Sequence, residues 1–390
     1  MEHEKKCPIV FLINSLCEGG AERAMLTLSK SFVEDGHKVT ILALTKNNFY
    51  TIPKGVELVY LSKMNDSLSG LIKMFYMPYH AWRVKQYVKK HNVALVQSYL
   101  FRANFVNLIS SIFGSKQVIQ VVNRSVVSRF FKEGLSGKIN LFLIRYLYPK
   151  SDRVIHISLQ MKEDFNKHFF KSKNEKVIYN PYDVDSVLRQ SKEPVEDFTF
   201  ESHKRYIITV GRLIPLKRFQ DVLEAMNHLD SDIELILLGD GAERTFLEER
   251  AKKFSLDKRV HFLGQVENPF KYITKSDIFI LSSSVEGFPN VLLESMLCKT
   301  VVISSDCLSG PREILAPKSE SAKRLSDGME LSEFGILYAV GDRVALVEAL
   351  RIVLEDNSLI YTYKERAFLR AKEFSVESIA SQYREVLCHV

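Results

Sequence analysis

No run of about 18 or more uncharged apolar residues interrupts this 390-residue sequence, which leaves no stretch suited to crossing a bilayer as a helix. The opening Met1-Glu2-His3-Glu4-Lys5-Lys6 is charged and leads into a short strand-like run, so no cleavable signal is expected and the chain is expected in the cytoplasm. Cysteine is sparse. Cys7, Cys17, Cys298, Cys307 and Cys388 are odd in number and form no C-x-x-C pair, so reduced thiols are expected, with neither a disulfide nor a zinc site. Acidic residues are missing altogether from Ser67 to Lys132, a segment that holds ten basic ones.

That last absence belongs to a larger asymmetry. Residues 1–190 carry 28 Lys/Arg against 15 Asp/Glu, a balance of +13, and the remainder carries 26 against 32, a balance of −6. An acid-free basic stretch departs from the mixed-sign surface of an ordinary soluble face, so an anionic partner is expected to meet the first half. The acidic second half and the lack of any recognised module argue against nucleic acid.

What is present is ordinary globular material: 46% hydrophobic and 26% charged residues, in a length sufficient for two cores. Short β-branched runs alternate with helical patterns. Ile9 to Ile13, the helix Ala24 to Val33 ended by Gly36, and Val39 to Leu44 form a βαβ unit. Further strands are expected at Glu57 to Leu61, Val93 to Gln97, Gln117 to Val122, Arg153 to Ile157 and Lys176 to Tyr179. A polar stretch then precedes a second series: Tyr206 to Val210, Glu234 to Leu238, Val260 to Leu263, Ile278 to Leu281 and Val301 to Ser304. Three helices close the chain, the last over Val376 to Leu387. The alternation predicts an α/β fold of two Rossmann-like domains with parallel sheets: a first over 1–182, a linker over 183–204, a second over 205–374, and a tail over 375–390.

Two loops of the second domain carry the chemistry. After the strand ending at Val210, Gly211-Arg212-Leu213-Ile214-Pro215-Leu216-Lys217-Arg218 supplies a glycine turn and cations. A diphosphate's negative charges suit an Arg fork and a Lys point charge, so Arg212 and Lys217 are the candidates. After the strand ending at Leu281, a Ser-rich loop leads to Glu286-Gly287-Phe288-Pro289-Asn290-Val291-Leu292-Leu293-Glu294 and a helix start. Unpaired N–H groups there suit phosphate oxygens, and the two carboxylates suit sugar hydroxyls.

The arrangement Gly-Arg-x4-Lys, then Gly239-Asp240-Gly241, then Glu-x7-Glu resembles the retaining, GT-B fold glycosyltransferases of family four over nearly the whole chain. Gly19-Gly20-Ala21-Glu22-Arg23 is similar to that family's glycine turn after the first strand. The resemblance implies a nucleotide-sugar donor, by preference a UDP-sugar, as substrate, with no metal and no resident cofactor. It implies that Arg212 and Lys217 hold the diphosphate beside Gly19 and Gly20, that Glu286 contacts the donor sugar, and that Glu294 binds the ribose. Amides of Gly287, Phe288, Pro289, Asn290 and Val291 complete the cradle as far as each has an N–H, and Val266 lies against the base. It places a donor/acceptor cleft between the domains and returns the last helix to the first domain. A phrase like Asp306-Cys307-Leu308-Ser309-Gly310-Pro311-Arg312-Glu313 occurs in bacterial relatives that build surface polysaccharides or lipid-linked oligosaccharides, so the implied acceptor is a glycan on a polyprenyl diphosphate.

One motif departs. Where many relatives read Glu-His-Ser, this chain reads Asn123-Arg124-Ser125, and Arg124, which is no base at neutral pH, is assigned to an acceptor hydroxyl or phosphate. A non-catalytic nucleotide-sugar-binding subunit is the alternative that this departure keeps open. Two Asp-x-Asp matches, Asp183-Val184-Asp185 and Asp230-Ser231-Asp232, lack flanking ligands and are read as turn residues, and His156 is read as a satisfied core residue. Trp82, Lys85, Lys89 and Lys90, aligned if the chain is helical beyond Pro78, suit an anionic membrane surface and a peripheral place on its cytoplasmic face. A helix packed on the sheet with a solvated rim is the competing reading.

Overall fold

Continuous apolar runs such as Ile9-Val10-Phe11-Leu12-Ile13 are buried on both faces, the signature of parallel strands covered by helices on either side. The computed structural model describes residues 6–17, 19–64, 68–172 and 174–388. They fall into two units, one of residues up to Tyr182 together with those from Phe374, the other Asp183–Glu373.

The first unit holds β1 (Ile9–Ile13), β2 (Val39–Ala43), β3 (Val56–Tyr60), β4 (Leu95–Tyr99), β5 (Val118–Asn123), β6 (Arg153–His156) and β7 (Glu175–Val177). Their order is β3-β2-β1-β4-β5-β6-β7, all parallel. The order in which the chain adds strands reverses between β1 and β4, so the loops after those two strands diverge and leave a crevice. The helix Gly20–Glu34 buries Ala24, Met25, Leu28 and Phe32, a three- and four-residue spacing that gives one apolar stripe. The helix Val376–Cys388 packs against it within this unit, and the chain enters that helix through Tyr182, whose amide and carbonyl bond Phe374 and Val376.

The second unit holds β8 (Arg205–Val210), β9 (Ile233–Leu238), β10 (Val260–Gly264), β11 (Ile278–Leu281), β12 (Val301–Ser305), β13 (Met329–Leu331) and β14 (Ile336–Tyr338). The order is β10-β9-β8-β11-β12-β14-β13, with its own reversal between β8 and β11. The β13–β14 pair is an antiparallel edge that the sequence reading missed, because three-residue strands carry too few positions for a period.

Two expectations need correction. The stretch 183–204 is no bare linker: it contains the helix Val184–Gln190, capped by the Asp183 carboxylate, and packs within the second unit. Asn268 Nδ2 donates to the Gln190 carbonyl and the Glu193 carboxylate, both at 2.8 Å, which anchors it. The cysteines are not all reduced, since Cys7 and Cys388 form a disulfide across 381 positions of sequence. Spacing rules missed this pair because the fold, and not a local motif, brings the two ends of the first unit together.

Candidate functional site

The loop after β8 and the loop after β11 meet at the strand-order reversal of the second unit, the place where this architecture opens a ligand crevice. Backbone contacts lock the two loops together. Ser284 N–H donates to the Leu216 carbonyl at 2.8 Å, and Ser282 Oγ donates to the Lys217 carbonyl at 2.6 Å. Lys217 Nζ lies 2.6 Å from Glu286 Oε1, which also accepts from Ser283 Oγ at 2.5 Å. Arg212, at the same strand end, is exposed and has no ion-pair partner among the described residues. The site thus pairs one cation with a carboxylate and leaves a guanidinium facing solvent.

Three glycine turns stack beside this pair. Gly211 N–H donates to the Leu238 carbonyl at 2.9 Å, and Gly239 N–H donates to the Gly264 carbonyl at 2.7 Å. A Cβ on Gly239 would stand 2.0 Å from Gly211 O, and one on Gly241 would stand 2.5 Å from Leu213 O, so the Gly-Asp-Gly turn is sterically required here. Val266 is half-buried just past β10, two strands away from the Lys217–Glu286 pair.

Glu286 to Pro289 precede the helix Asn290–Leu297, which leaves Glu286 on the loop, while Glu294 sits one turn into the helix and is buried. Burial, with the Glu294 charge adding to it, pushes the Cys298 thiol up to about 12, so that cysteine is an inert core residue. The Asp306–Glu313 segment is the loop's support. Glu286 N–H donates to the Leu308 carbonyl at 2.6 Å, Ser309 Oγ donates to the Gly287 carbonyl at 2.6 Å, and Gly310 abuts Pro289 and Phe288 so closely that a Cβ would be 2.4 Å from Pro289 Cδ. Arg312, wholly buried, grips the buried Asp306 carboxylate with Nη2 at 2.6 Å and reaches Glu330 at 3.1 Å.

In the first unit Gly19 precedes the helix Gly20–Glu34, and both its N–H and its carbonyl are bonded to the Tyr50 hydroxyl at 3.2 Å. Arg124 donates to Gly20 O at 3.0 Å and Asn180 Oδ1 at 2.7 Å, with its guanidinium 6.0 Å from the Tyr99 ring centre. Burial lowers its pKa, and Tyr383, Tyr99, Tyr182 and Glu22 act against that. Its side chain therefore braces the glycine turn, a contact that the sequence reading did not foresee. His156 is a core residue with a difference: Nδ1 meets Asn123 Nδ2 at 3.4 Å while its buried Nε2 has no partner among the described residues.

The first unit also contains a cavity of about 610 Å³ at the reversal between β1 and β4. Its polar lining includes Asn14, Ser15, Glu22, Lys73 and Arg102, and its apolar lining includes Met74, Met77, Phe105, Leu135, Ile139 and Leu143. Apart from Glu22 of the glycine-turn motif, these positions do not stand out in the sequence, because they come from four separate segments. Beside it, Phe75 is 84% exposed, Leu135 72%, Phe142 60% and Trp82 48%, an unusual display of large apolar side chains for a basic surface. Lys89 and Lys90 are exposed with Trp82, whereas Lys85 donates to the Phe113 carbonyl at 2.5 Å and caps the end of the helix Phe101–Ile112.

Comparison with known proteins matches this geometry. A family model described as Glycosyltransferase Family 4 matches residues 18–186, and one described as Glycosyl transferases group 1 matches residues 190–370. The chain is 30% identical over 371 residues to the N-acetylgalactosamine-N,N'-diacetylbacillosaminyl-diphospho-undecaprenol 4-alpha-N-acetylgalactosaminyltransferase of Campylobacter jejuni, covering 94% of this chain and 96% of that one. The chain belongs to glycosyltransferase family 4.

A second Campylobacter jejuni enzyme, the GalNAc-alpha-(1->4)-GalNAc-alpha-(1->3)-diNAcBac-PP-undecaprenol alpha-1,4-N-acetyl-D-galactosaminyltransferase, is 28% identical with 98% of both chains covered. The Anabaena protein HepE, crystallised with UDP, superposes with a TM-score of 0.77 at 22% identity over 98% of this chain and 100% of its own. WaaG, a glycosyltransferase involved in lipopolysaccharide biosynthesis, does so with 0.70 at 15% over 98% and 100%. The fold is GT-B, and this family-4 glycosyltransferase is an enzyme of the hexosyl-transferring class. Its two reversal points carry different chemistry: a cation–carboxylate site in the second unit and an amphipathic cavity in the first.

Proposed function

We propose that this enzyme moves a hexose or N-acetylhexosamine from a UDP-sugar, with retention of anomeric configuration, to a glycan carried on a polyprenyl diphosphate. The observation that carries the donor half is the convergence of Arg212, Lys217 and Glu286 at the β8/β11 reversal. An incoming diphosphate offers Lys217 a stronger anionic partner than Glu286, so the ion pair opens and Glu286 becomes free to accept a bond from a sugar hydroxyl. Glu294 takes the ribose, Val266 the base, and the backbone of Gly287 to Val291 supplies donors to phosphate oxygens. Neutralising charge on the departing phosphate is how these cations accelerate the reaction, since that charge grows as the sugar leaves.

The acceptor half rests on the cavity. Lys73 and Arg102 suit a diphosphate and the apolar wall suits an isoprenoid, while the exposed Phe75, Trp82, Leu135 and Phe142 suit the bilayer in which such a lipid resides. The protein then works peripherally at the cytoplasmic face, where no spanning helix is needed. Incubation with UDP-N-acetylgalactosamine, UDP-N-acetylglucosamine or UDP-glucose and an undecaprenyl-diphosphate oligosaccharide tests this, with the product's anomer read by NMR. Transfer to water-soluble glycans alone, or an inverted product, overturns it. A chain that binds UDP tightly yet turns over no donor returns the non-catalytic reading.

A further inference from the structure

The disulfide has a third neighbour. Cys7 lies just before β1, Cys388 ends the helix Val376–Cys388, and their Cα atoms are 5.8 Å apart. His37, from the turn before β2, is 6% exposed and held edge-on against Phe32 at 5.7 Å. Its Nδ1 lies 3.2 Å from the Cys7 amide nitrogen, 3.3 Å from the Cys7 carbonyl oxygen and 3.7 Å from Cys7 Sγ. The two sulfurs and the imidazole nitrogen lie within 4.8 Å of one another, and among the described residues they are the single group of three or more such side chains.

We propose that, when the two thiols are reduced, Cys7, Cys388 and His37 hold one soft divalent cation of the Zn²⁺ type, and that the disulfide is the oxidised form of the same site. Two thiolates and an imidazole nitrogen are a donor set for Zn²⁺ and a poor one for Mg²⁺ or Ca²⁺. With the ring proton on Nε2, the Nδ1 lone pair that meets the Cys7 amide is the one a metal takes, so binding replaces that backbone contact. Both cysteines are half-exposed, so water completes a four-coordinate shell. Binding releases two protons, one from each thiol. Oxidation by a low-molecular-weight disulfide removes two electrons and two protons from the thiols, forms the Cys7–Cys388 bond and yields two thiols from the oxidant.

The site fastens the end of a helix that matters elsewhere. The Val386 carbonyl accepts from Arg153 at 2.7 Å, Arg384 pairs with Asp35 at 2.5 Å, and Tyr383 on the same helix lies beside Tyr99 and Arg124. The test uses the full chain reduced with a phosphine, titrated with Zn²⁺ against a chromophoric chelator and separately with Co²⁺. One metal per chain, a thiolate-to-cobalt charge-transfer band and slower amide exchange in Val376–Cys388 are expected. Cys7→Ser and Cys388→Ser each lower affinity at least about 100-fold, and Cys17→Ser leaves it unchanged. The same wild-type chain, oxidised with diamide, binds no metal, an arm that needs no variant to fold. Absence of binding by the reduced chain, or binding that survives oxidation or either serine change, overturns the proposal.

Discussion

Lys217 and Glu286 are 2.6 Å apart before any donor arrives, and each is only partly exposed, at 21% and 13%. The pair neutralises the crevice in the free protein, and under the proposed donor role it sets a competition that a diphosphate wins with its two charges. Removing the cation and removing the carboxylate therefore have opposite effects on nucleotide affinity. Lys217→Ala and Arg212→Ala are expected to weaken UDP binding by about 1.5 to 3 kcal/mol each, the range for a charge-assisted contact. Glu286→Gln releases Lys217 to the diphosphate, so UDP affinity holds or rises while turnover falls. Glu294→Gln weakens UDP itself. Calorimetry with UDP beside a product assay separates these outcomes, and a drop in UDP affinity for Glu286→Gln equal to that of Lys217→Ala contradicts the competition.

At the scale of elements, the turns after β8, β9 and β10 matter more than their side chains. Gly239 has φ of +132° and a Cβ there would meet backbone oxygen, which has no room to give. Gly239→Ala should cost about 3 kcal/mol in stability, lowering Tm by several degrees, whereas Gly70→Ala, with nothing within 4 Å, leaves Tm unchanged or slightly higher. Thermal melts of both variants check the contrast. The helices Gly70–Phe75 and Met77–His91 carry the next expectation. The buried face of the second is Met77, His80, Ala81, Val84 and Val88, which the spacing of apolar residues dictates, and Phe75 and Trp82 are left outside. Phe75→Ser with Trp82→Ser should lower binding to anionic liposomes at least about tenfold without changing UDP affinity, since each aromatic contributes about 1 to 2 kcal/mol at an interface. Raised salt should weaken the wild-type interaction as well, through Lys89 and Lys90. Co-sedimentation that ignores both the double change and the salt points to the alternative, a helix whose exposed rim meets only water.

Across the whole molecule, two buried histidines set an acid limit. Burial, with Arg102 and Arg83 nearby, lowers His80 to about 4, and burial with Lys162 lowers His156 to about 3. Both are depressed below the ordinary value near 6.5, so the unfolded chain takes up their protons first as pH falls. Their contribution is complete above about pH 6.5 and is lost progressively between that value and about 4 for His80 and about 3 for His156. Urea unfolding at pH 7 and pH 5 should show a clear loss, and His80→Gln should flatten part of it. An identical slope in that variant removes His80 from the account.

What the sequence determined by itself is everything that depends on neighbours along the chain. The strand Ile278–Leu281 and the strand Ile9–Ile13 were readable to the residue because continuous apolar runs between turn residues leave one solution, and the Gly211 turn was readable from its place at the end of such a run. Arg212, Lys217 and Glu286 were legible as candidates because the loops at strand ends are where ligands sit and these loops carry the right charges. The tertiary structure alone decided which distant groups meet. It turned Arg124 inward onto Gly20 and Asn180, tied Lys85 to Phe113, assembled the cavity from four segments, and joined Cys7 to Cys388. The physical reason is range: period, capping and turn chemistry act over a few residues, whereas a side chain's partner is chosen by sheet order and helix packing, which bring together positions hundreds of residues apart.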